Sequence, residues 1–213
     1  MKYTIISNTC LGADMLRLLN NMPYSNPFIG SIFLDDMDYA KFCSNFNHYI
    51  NQKPIFKEPK NKIWSKQTGN QYWYHPKHKN NYPVMHLDDI QIHWIHETDE
   101  KIVLEKYQRR LERFKNNYIP IFTWIETEMF TRHNNQEHKQ MIDMFFQTEN
   151  CIFIGSKRYI PNNLTNKKIY YKHFPFMTME NHKRINNNFF EINNQKEFVK
   201  LFLKQLKIFF KIG

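Results

Sequence analysis

Short apolar runs alternate with amphipathic stretches along this chain. Residues 3–6 (Tyr-Thr-Ile-Ile) are β-branched and aromatic and suit a buried first strand. Polar Ser7-Asn8-Thr9 interrupts the run, and residues 14–19 read as helix, so Cys10 falls in the turn or the first helical turn. Residues 22–30 form a Pro-containing loop, and residues 29–34 predict a second strand. Asp35-Asp36 then supplies an N-cap for a helix over roughly 36–50. The stretch 51–82 is polar and rich in Lys and Asn, with Trp64, Tyr72, Trp73 and Tyr74, and reads as an insertion or small subdomain of short strands.

Beyond Tyr82 the pattern sharpens. Residues 90–96 have high β propensity behind a Leu87-Asp88-Asp89 turn, and Asp99 caps a charged helix over about 100–116. Residues 119–124 predict a strand, 134–148 a helix, and Cys151–Ile154 a short buried strand that runs into Gly155-Ser156-Lys157-Arg158. Residues 168–171 supply a last strand and 197–211 a closing helix. Strands alternating with helices predict an α/β fold with a mainly parallel sheet flanked by helices, in one domain over 1–213 with the insertion at 51–82.

Composition narrows the classes. A chain of 213 residues with 41% apolar and 16% aromatic content can bury a sizeable core, and 5 glycines argue against a repetitive, Gly-turned β architecture. The three cysteines, Cys10, Cys43 and Cys151, form no CxxC pair, which argues against a disulfide scaffold or a structural zinc site and suits a reducing cytoplasm. The N-terminus has only a short apolar run, and no 18-residue apolar stretch occurs, so a cytoplasmic protein is expected. The net charge is +10, with 30 Lys+Arg against 20 Asp+Glu. Asn, Lys, Ile, Phe and Tyr are abundant together, the bias an AT-rich genome imposes, so the charge is as much background as binding footprint. A polyanion such as a nucleotide-containing cofactor or an anionic membrane surface fits it, and no nucleic acid partner is expected.

Chemistry concentrates at a few positions. Cys10 lies just past the end of the first strand, where open α/β sheets place catalytic groups, and a helix N-terminus would favour its thiolate. Asn8 beside it suits an oxyanion donor, and Gly12 lets a substrate approach the backbone. The plainer alternative is a thiol that packs as a small hydrophobe. His93 and His96, three apart, face opposite sides of a strand, so one can serve as a base while the other packs. Asp88 and Asp89 orient an imidazole or form a turn. His75, His78, His86, His93 and His96 crowd one region without HExxH spacing, so no metal is expected.

Arg109, Arg110 and Arg113 suit a solvated helix face paired with Glu105 and Glu112. Lys157 and Arg158, after a strand end and Gly155-Ser156, suit capture of a cofactor's phosphates. In the closing helix Lys200, Lys204, Lys207 and Lys211 share one face. That helix packs on the sheet, or lies against the inner membrane through 198–212.

Residues 3–12 (TIISNTCLG with its leading Tyr3), then Pro23-Tyr24-Ser25-Asn26-Pro27-Phe28-Ile29-Gly30, resemble the opening of a bacterial family catalogued as domain of unknown function 1919. Tyr82-Pro83-Val84, Leu87-Asp88-Asp89-Ile90, Ile92-His93-Trp94 and the helix through Arg109-Arg110 resemble that family's central block. Thr9, Leu11 and Ala13 stand where the family usually has Asn, Trp and Gly, while Asn8, Cys10, Gly12 and His93 match. The family is commonly encoded among genes for capsule and exopolysaccharide. Its N-terminal Cys arrangement is similar to that of coenzyme-A-binding polysaccharide-modification enzymes.

The resemblance therefore implies surface-glycan biosynthesis, with acyl transfer from acetyl-coenzyme A to a sugar or glycan acceptor. Cys10 would be the nucleophile or site thiol, His93 the general base, Asn8 the oxyanion donor, Asp89 an orienter, and Gly12, Lys157 and Arg158 cofactor contacts. Two other classes stay open. One is a glycosyltransferase or other nucleotide-sugar enzyme of the same pathway, for which Asp36-Met37-Asp38 is the sole DxD sequence and falls at a helix start. The other is a non-catalytic glycan-assembly partner at the inner membrane.

Overall fold

A computed structural model describes residues 2–8, 26–59, 74–75, 80–125 and 135–154. Three strands make a parallel sheet: β1 (Lys2–Ser7), β7 (Tyr118–Ile125) and β8 (Cys151–Ile154), with β7 in the middle. Apolar side chains explain the burial: Ile5, Ile6, Ile121, Phe122, Trp124, Cys151, Ile152 and Phe153 are all buried. Pro120 sits in that central strand because of register. The Phe122 N–H faces the β8 side and donates to the Asn150 carbonyl, just ahead of β8. Pro120, two residues earlier, faces the same side where β8 has not yet begun, so its missing N–H breaks no ladder bond.

A second sheet is antiparallel. β5 (Val84–Leu87) and β6 (Ile90–His93) form a hairpin closed by Asp88 and Asp89, and β2 (Ile55–Phe56) pairs with the outer side of β5. Asp88 takes a left-handed φ of 56°, a conformation Asp tolerates better than most side chains. β3 (Tyr74–His75) and β4 (Asn80–Asn81) form a separate antiparallel pair. The α/β composition and a parallel sheet are as expected, and the described residues add antiparallel pairs beside it, since five of the eight described strands pair antiparallel. The sequence pattern does not separate the two cases, because β5 and β6 are buried on both faces as parallel strands usually are.

Four helices are described: α1 (Asp36–Ser44), α2 (Phe46–Tyr49), α3 (Glu100–Asn117) and α4 (Asn135–Gln147). The expected single helix over 36–50 breaks at Asn45, whose φ/ψ of −131°/44° ends α1. Its start is as predicted: Asp35 caps it, accepting from the Met37 N–H at 2.8 Å. Asp99 likewise caps α3, accepting from Lys101 and Ile102. α1 packs on α4, and Tyr39, Phe42, Phe46, Phe114, Phe122, Trp124 and Phe145 share one aromatic core.

The expected strand over 29–34 is instead an irregular strap. The Asn26 side chain holds the Ile5 carbonyl and caps the Phe28 N–H, and Gly30, with φ of 88°, occupies a turn closed from Ser31 N–H to the Phe28 carbonyl. That turn position favours glycine because positive φ strains other residues. Beyond it, Ile32 exchanges two 2.9 Å backbone hydrogen bonds with His93, and the Phe33 N–H donates to the Asn8 carbonyl at 2.9 Å. The strap thus stitches the end of β1 to the end of β6. Arg110 steadies it, donating to the Ile29 carbonyl at 2.8 Å, so this arginine is not part of a purely solvated face. The predicted helix at 14–19, the last strand at 168–171 and the closing helix lie outside the described residues.

Candidate functional site

The three parallel strands end at one edge, and the described groups gather around the end of β1. Asn8 is fully buried there. Its backbone is held on both sides, by its N–H to the Thr123 carbonyl at 3.4 Å and by its carbonyl from Phe33. Its side-chain amide donates to Asp36 Oδ1 at 3.3 Å, and the Ser7 hydroxyl donates to Asn8 Oδ1 at 3.5 Å. A carboxylate only accepts, so Asp36 fixes which way the amide of Asn8 points. Beneath this edge the buried Tyr39 hydroxyl is shared between the carbonyls of Ile6 and Thr123, at 2.9 and 3.0 Å. Burial, before any neighbouring group, pushes the Tyr39 phenol well above its ordinary pKa, so it stays a neutral donor.

His93 lies across the strap from Asn8, buried at 2% exposure. Its Nδ1 meets the hydroxyl of Tyr82 at 3.3 Å, and the two rings meet edge to face at 5.8 Å. Nε2 is buried and has no hydrogen-bond partner among the described residues. Burial lowers the imidazole pKa to about 3, helped by His86 and opposed by the carboxylate of Asp35. His93 is therefore a neutral imidazole at physiological pH, and a weak base. His96, the alternative partner by spacing, parts from it: β6 ends at His93, and His96 is exposed in the turn beyond.

Asp89 corrects an expectation. It sits on the hairpin turn at the opposite end of β6 from His93, where it pairs with Lys41 and accepts from the Tyr49 hydroxyl at 2.8 Å. Its neighbour Asp88 pairs with His48 at 2.9 Å. These bonds tie the turn to α1 and α2, and the carboxylate whose field reaches His93 is that of Asp35. The DxD sequence divides in the same way. Asp36 serves Asn8, whereas Asp38 accepts from the Gln91 N–H at 3.0 Å and so fastens α1 to β6. Cys10, Gly12, Lys157 and Arg158 lie outside the described residues. No group of His, Cys, Asp or Glu among the described residues is arranged to hold a metal ion, and no described helix is long and apolar enough to cross a membrane.

Sequence reasoning missed the parts of Asp36 and Tyr82. Asp36 reads as a helix-start residue, and only the fold brings it back to the end of β1. Tyr82 belongs to the Tyr82-Pro83-Val84 motif, and the hairpin register that carries it to His93 is not visible without the pairing of Val84 with His93.

These features define a mixed α/β domain whose parallel strands end at an edge bearing Asn8 and Asp36, joined by a strap to a hairpin bearing His93. The chain belongs to the family described as domain of unknown function DUF1919, whose model matches residues 1–200. It is also similar to an uncharacterized protein of Haemophilus influenzae (strain ATCC 51907 / DSM 11121 / KW20 / Rd), at 29% identity over 112 residues. That alignment covers 53% of this chain and 44% of the relative, so the chain spans less than half the length of the curated protein it matches. No solved structure matches the chain.

Proposed function

We propose that the chain is a surface-polysaccharide biosynthesis enzyme that moves an acyl group from a coenzyme A thioester to a sugar hydroxyl or amine. The observation that carries this reading is the placement of Asn8: buried, oriented by Asp36, at the C-terminal end of a parallel strand and two residues before Cys10. Strand ends of this kind are where open α/β sheets hold their ligands. The resemblance of the N-terminal motif to coenzyme-A-binding modification enzymes supports the choice of acyl transfer over other chemistry at such an edge.

In this reading the Cys10 thiol gives its proton to His93 as its sulfur attacks the thioester carbonyl. A bond forms from carbon to Cys10, the bond from carbon to coenzyme A breaks, and the departing thiolate takes the proton. The acceptor oxygen or nitrogen then attacks the acyl-cysteine, loses its proton to His93 and regenerates Cys10. Burial of His93 disfavours the imidazolium, so the proton passes on within each step and is not stored. Asp35 and Asp36 put carboxylates at the described edge, so the cofactor's phosphates fall to cations elsewhere, for which Lys157 and Arg158, just past β8, are the choice from sequence. The protein would act in the cytoplasm or peripherally at the inner membrane through 198–212.

The test is the intact mass of the protein after incubation with acetyl-coenzyme A, wild type beside Cys10→Ala. An acetyl adduct that requires Cys10 and is cleared by a sugar acceptor is the expected result. Thermal stabilisation by coenzyme A without an adduct would retain the donor and replace the covalent step by direct attack. Neither adduct nor stabilisation would overturn the reading in favour of a nucleotide-sugar enzyme.

A further inference from the structure

Among the described residues the Tyr82 hydroxyl is the side-chain hydrogen-bond partner of the His93 imidazole, at Nδ1, and the other ring nitrogen is left buried and unpartnered. That asymmetry has a physical consequence. A neutral imidazole carries one N–H, and which nitrogen bears it follows from the bonds each can make. Were the proton on Nε2, a buried N–H donor would have no acceptor among the described residues, the rarer and costlier kind of orphan. On Nδ1 the proton faces the Tyr82 oxygen, which can accept it, and Nε2 keeps a bare lone pair.

The ring has little freedom to escape this choice. The His93 backbone is bonded to Ile32 on one side and registered against Val84 on the other, while the following Trp94 N–H is bonded to the Pro83 carbonyl at 3.0 Å. Tyr82 is itself buried at 3% exposure and directly precedes Pro83, so both partners are fixed by the same short piece of chain.

We propose that Tyr82 is a positioning residue for His93: it accepts the Nδ1 proton and so leaves Nε2, with a bare lone pair, as the end that takes a proton from the acyl acceptor. The assignment rests on the acyl-transfer reading for its purpose, but not for its geometry. The place expected for Asp89 is taken by a phenol. A neutral orienter suits a base that must stay neutral, because a carboxylate in contact would raise the imidazole pKa and favour imidazolium.

The experiment is long-range proton–nitrogen correlation NMR on the full chain labelled with ¹⁵N histidine at neutral pH, with the His93 signals identified by their loss in His93→Gln. Wild type is expected to show the Nδ1–H tautomer at His93, and Tyr82→Phe to move it to Nε2–H or to a mixture. An Nε2–H tautomer in wild type would overturn the proposal, as would a Tyr82→Phe spectrum unchanged at His93. The wild-type tautomer decides by itself if Tyr82→Phe does not fold. No substrate enters this measurement, so its failure is distinguishable from the absence of an acetyl adduct on Cys10. Where acetyl transfer is observed, Tyr82→Phe should lower kcat about tenfold with KM little changed.

Discussion

His93 shows how a single side chain can be read twice, once for chemistry and once for stability. Its folded pKa of about 3 lies below the ordinary histidine value, with burial the first cause and His86 the second, while Asp35 acts in the opposite direction. Between the two values the unfolded chain binds a proton that the folded chain refuses. Stability from this group is therefore full above the unfolded pKa and falls as pH drops below about 6.5. At pH 5 the loss from His93 is about 2 kcal/mol. Urea unfolding of wild type and His93→Gln at pH 7.5, 6 and 5 checks it: the wild-type midpoint should fall with pH more steeply than the variant's. Parallel curves would show that the ring is not held neutral by burial. Asp35, His86 and the Tyr82 hydroxyl face the same ring, so the difference between the two chains, and not either curve alone, is the measure.

Among the elements, helix starts are the features most directly written in the sequence. Asp35 and Asp99 stand where local hydrogen bonding alone specifies a cap, and both accept from the next turn's N–H groups as expected. Asp99→Ala should destabilise the chain by about 1 kcal/mol, and circular dichroism-monitored urea unfolding would register it as a lower midpoint at unchanged slope. An unaltered midpoint would mean that the amphipathic face with Val103, Tyr107 and Phe114 anchors α3 without its cap. Strands were less legible for a reason of distance. Residues 29–34 are apolar enough for a strand, yet the Asn26 cap and the turn at Gly30 leave only Ile32 able to pair. Residues 90–96 have strand propensity throughout, but β6 stops at His93, because after one further bond from the Trp94 N–H to the Pro83 carbonyl the chain turns away at residues 95–96. Propensity is local, and pairing is not. The same limit hid the site: Asn8 was visible as a polar residue at a strand end, whereas its partner Asp36 is 28 residues away.

At the scale of the whole molecule, the parallel sheet and the hairpin are joined through a small number of buried backbone contacts near the end of β1, and Tyr39 lies beside them. It stands on α1, which packs on α4 and reaches the hairpin through Asp38, and its hydroxyl holds the carbonyls of Ile6 and Thr123 on two neighbouring strands. Removing that hydroxyl takes away a donor and puts nothing in its place. Tyr39→Phe keeps the ring contacts with Phe33, Phe42 and Phe145 and leaves two buried carbonyls without this partner. The expected cost is about 1–3 kcal/mol. Its location matters more than its size, because the lost bonds lie where β1 and β7 end, beside the Asn8 N–H that itself donates to Thr123. Hydrogen exchange should therefore quicken at Asn8 and Phe33, the amides on either side of the join, more than at Ile92 within the hairpin. Equal acceleration at all three would mean that the join opens only with global unfolding, and that the strap and both sheets behave as one cooperative unit. Selective acceleration would make the end of β1 a locally yielding edge carried on a firm aromatic core, which is what the proposed acyl-transfer site would need to admit a substrate next to a buried histidine.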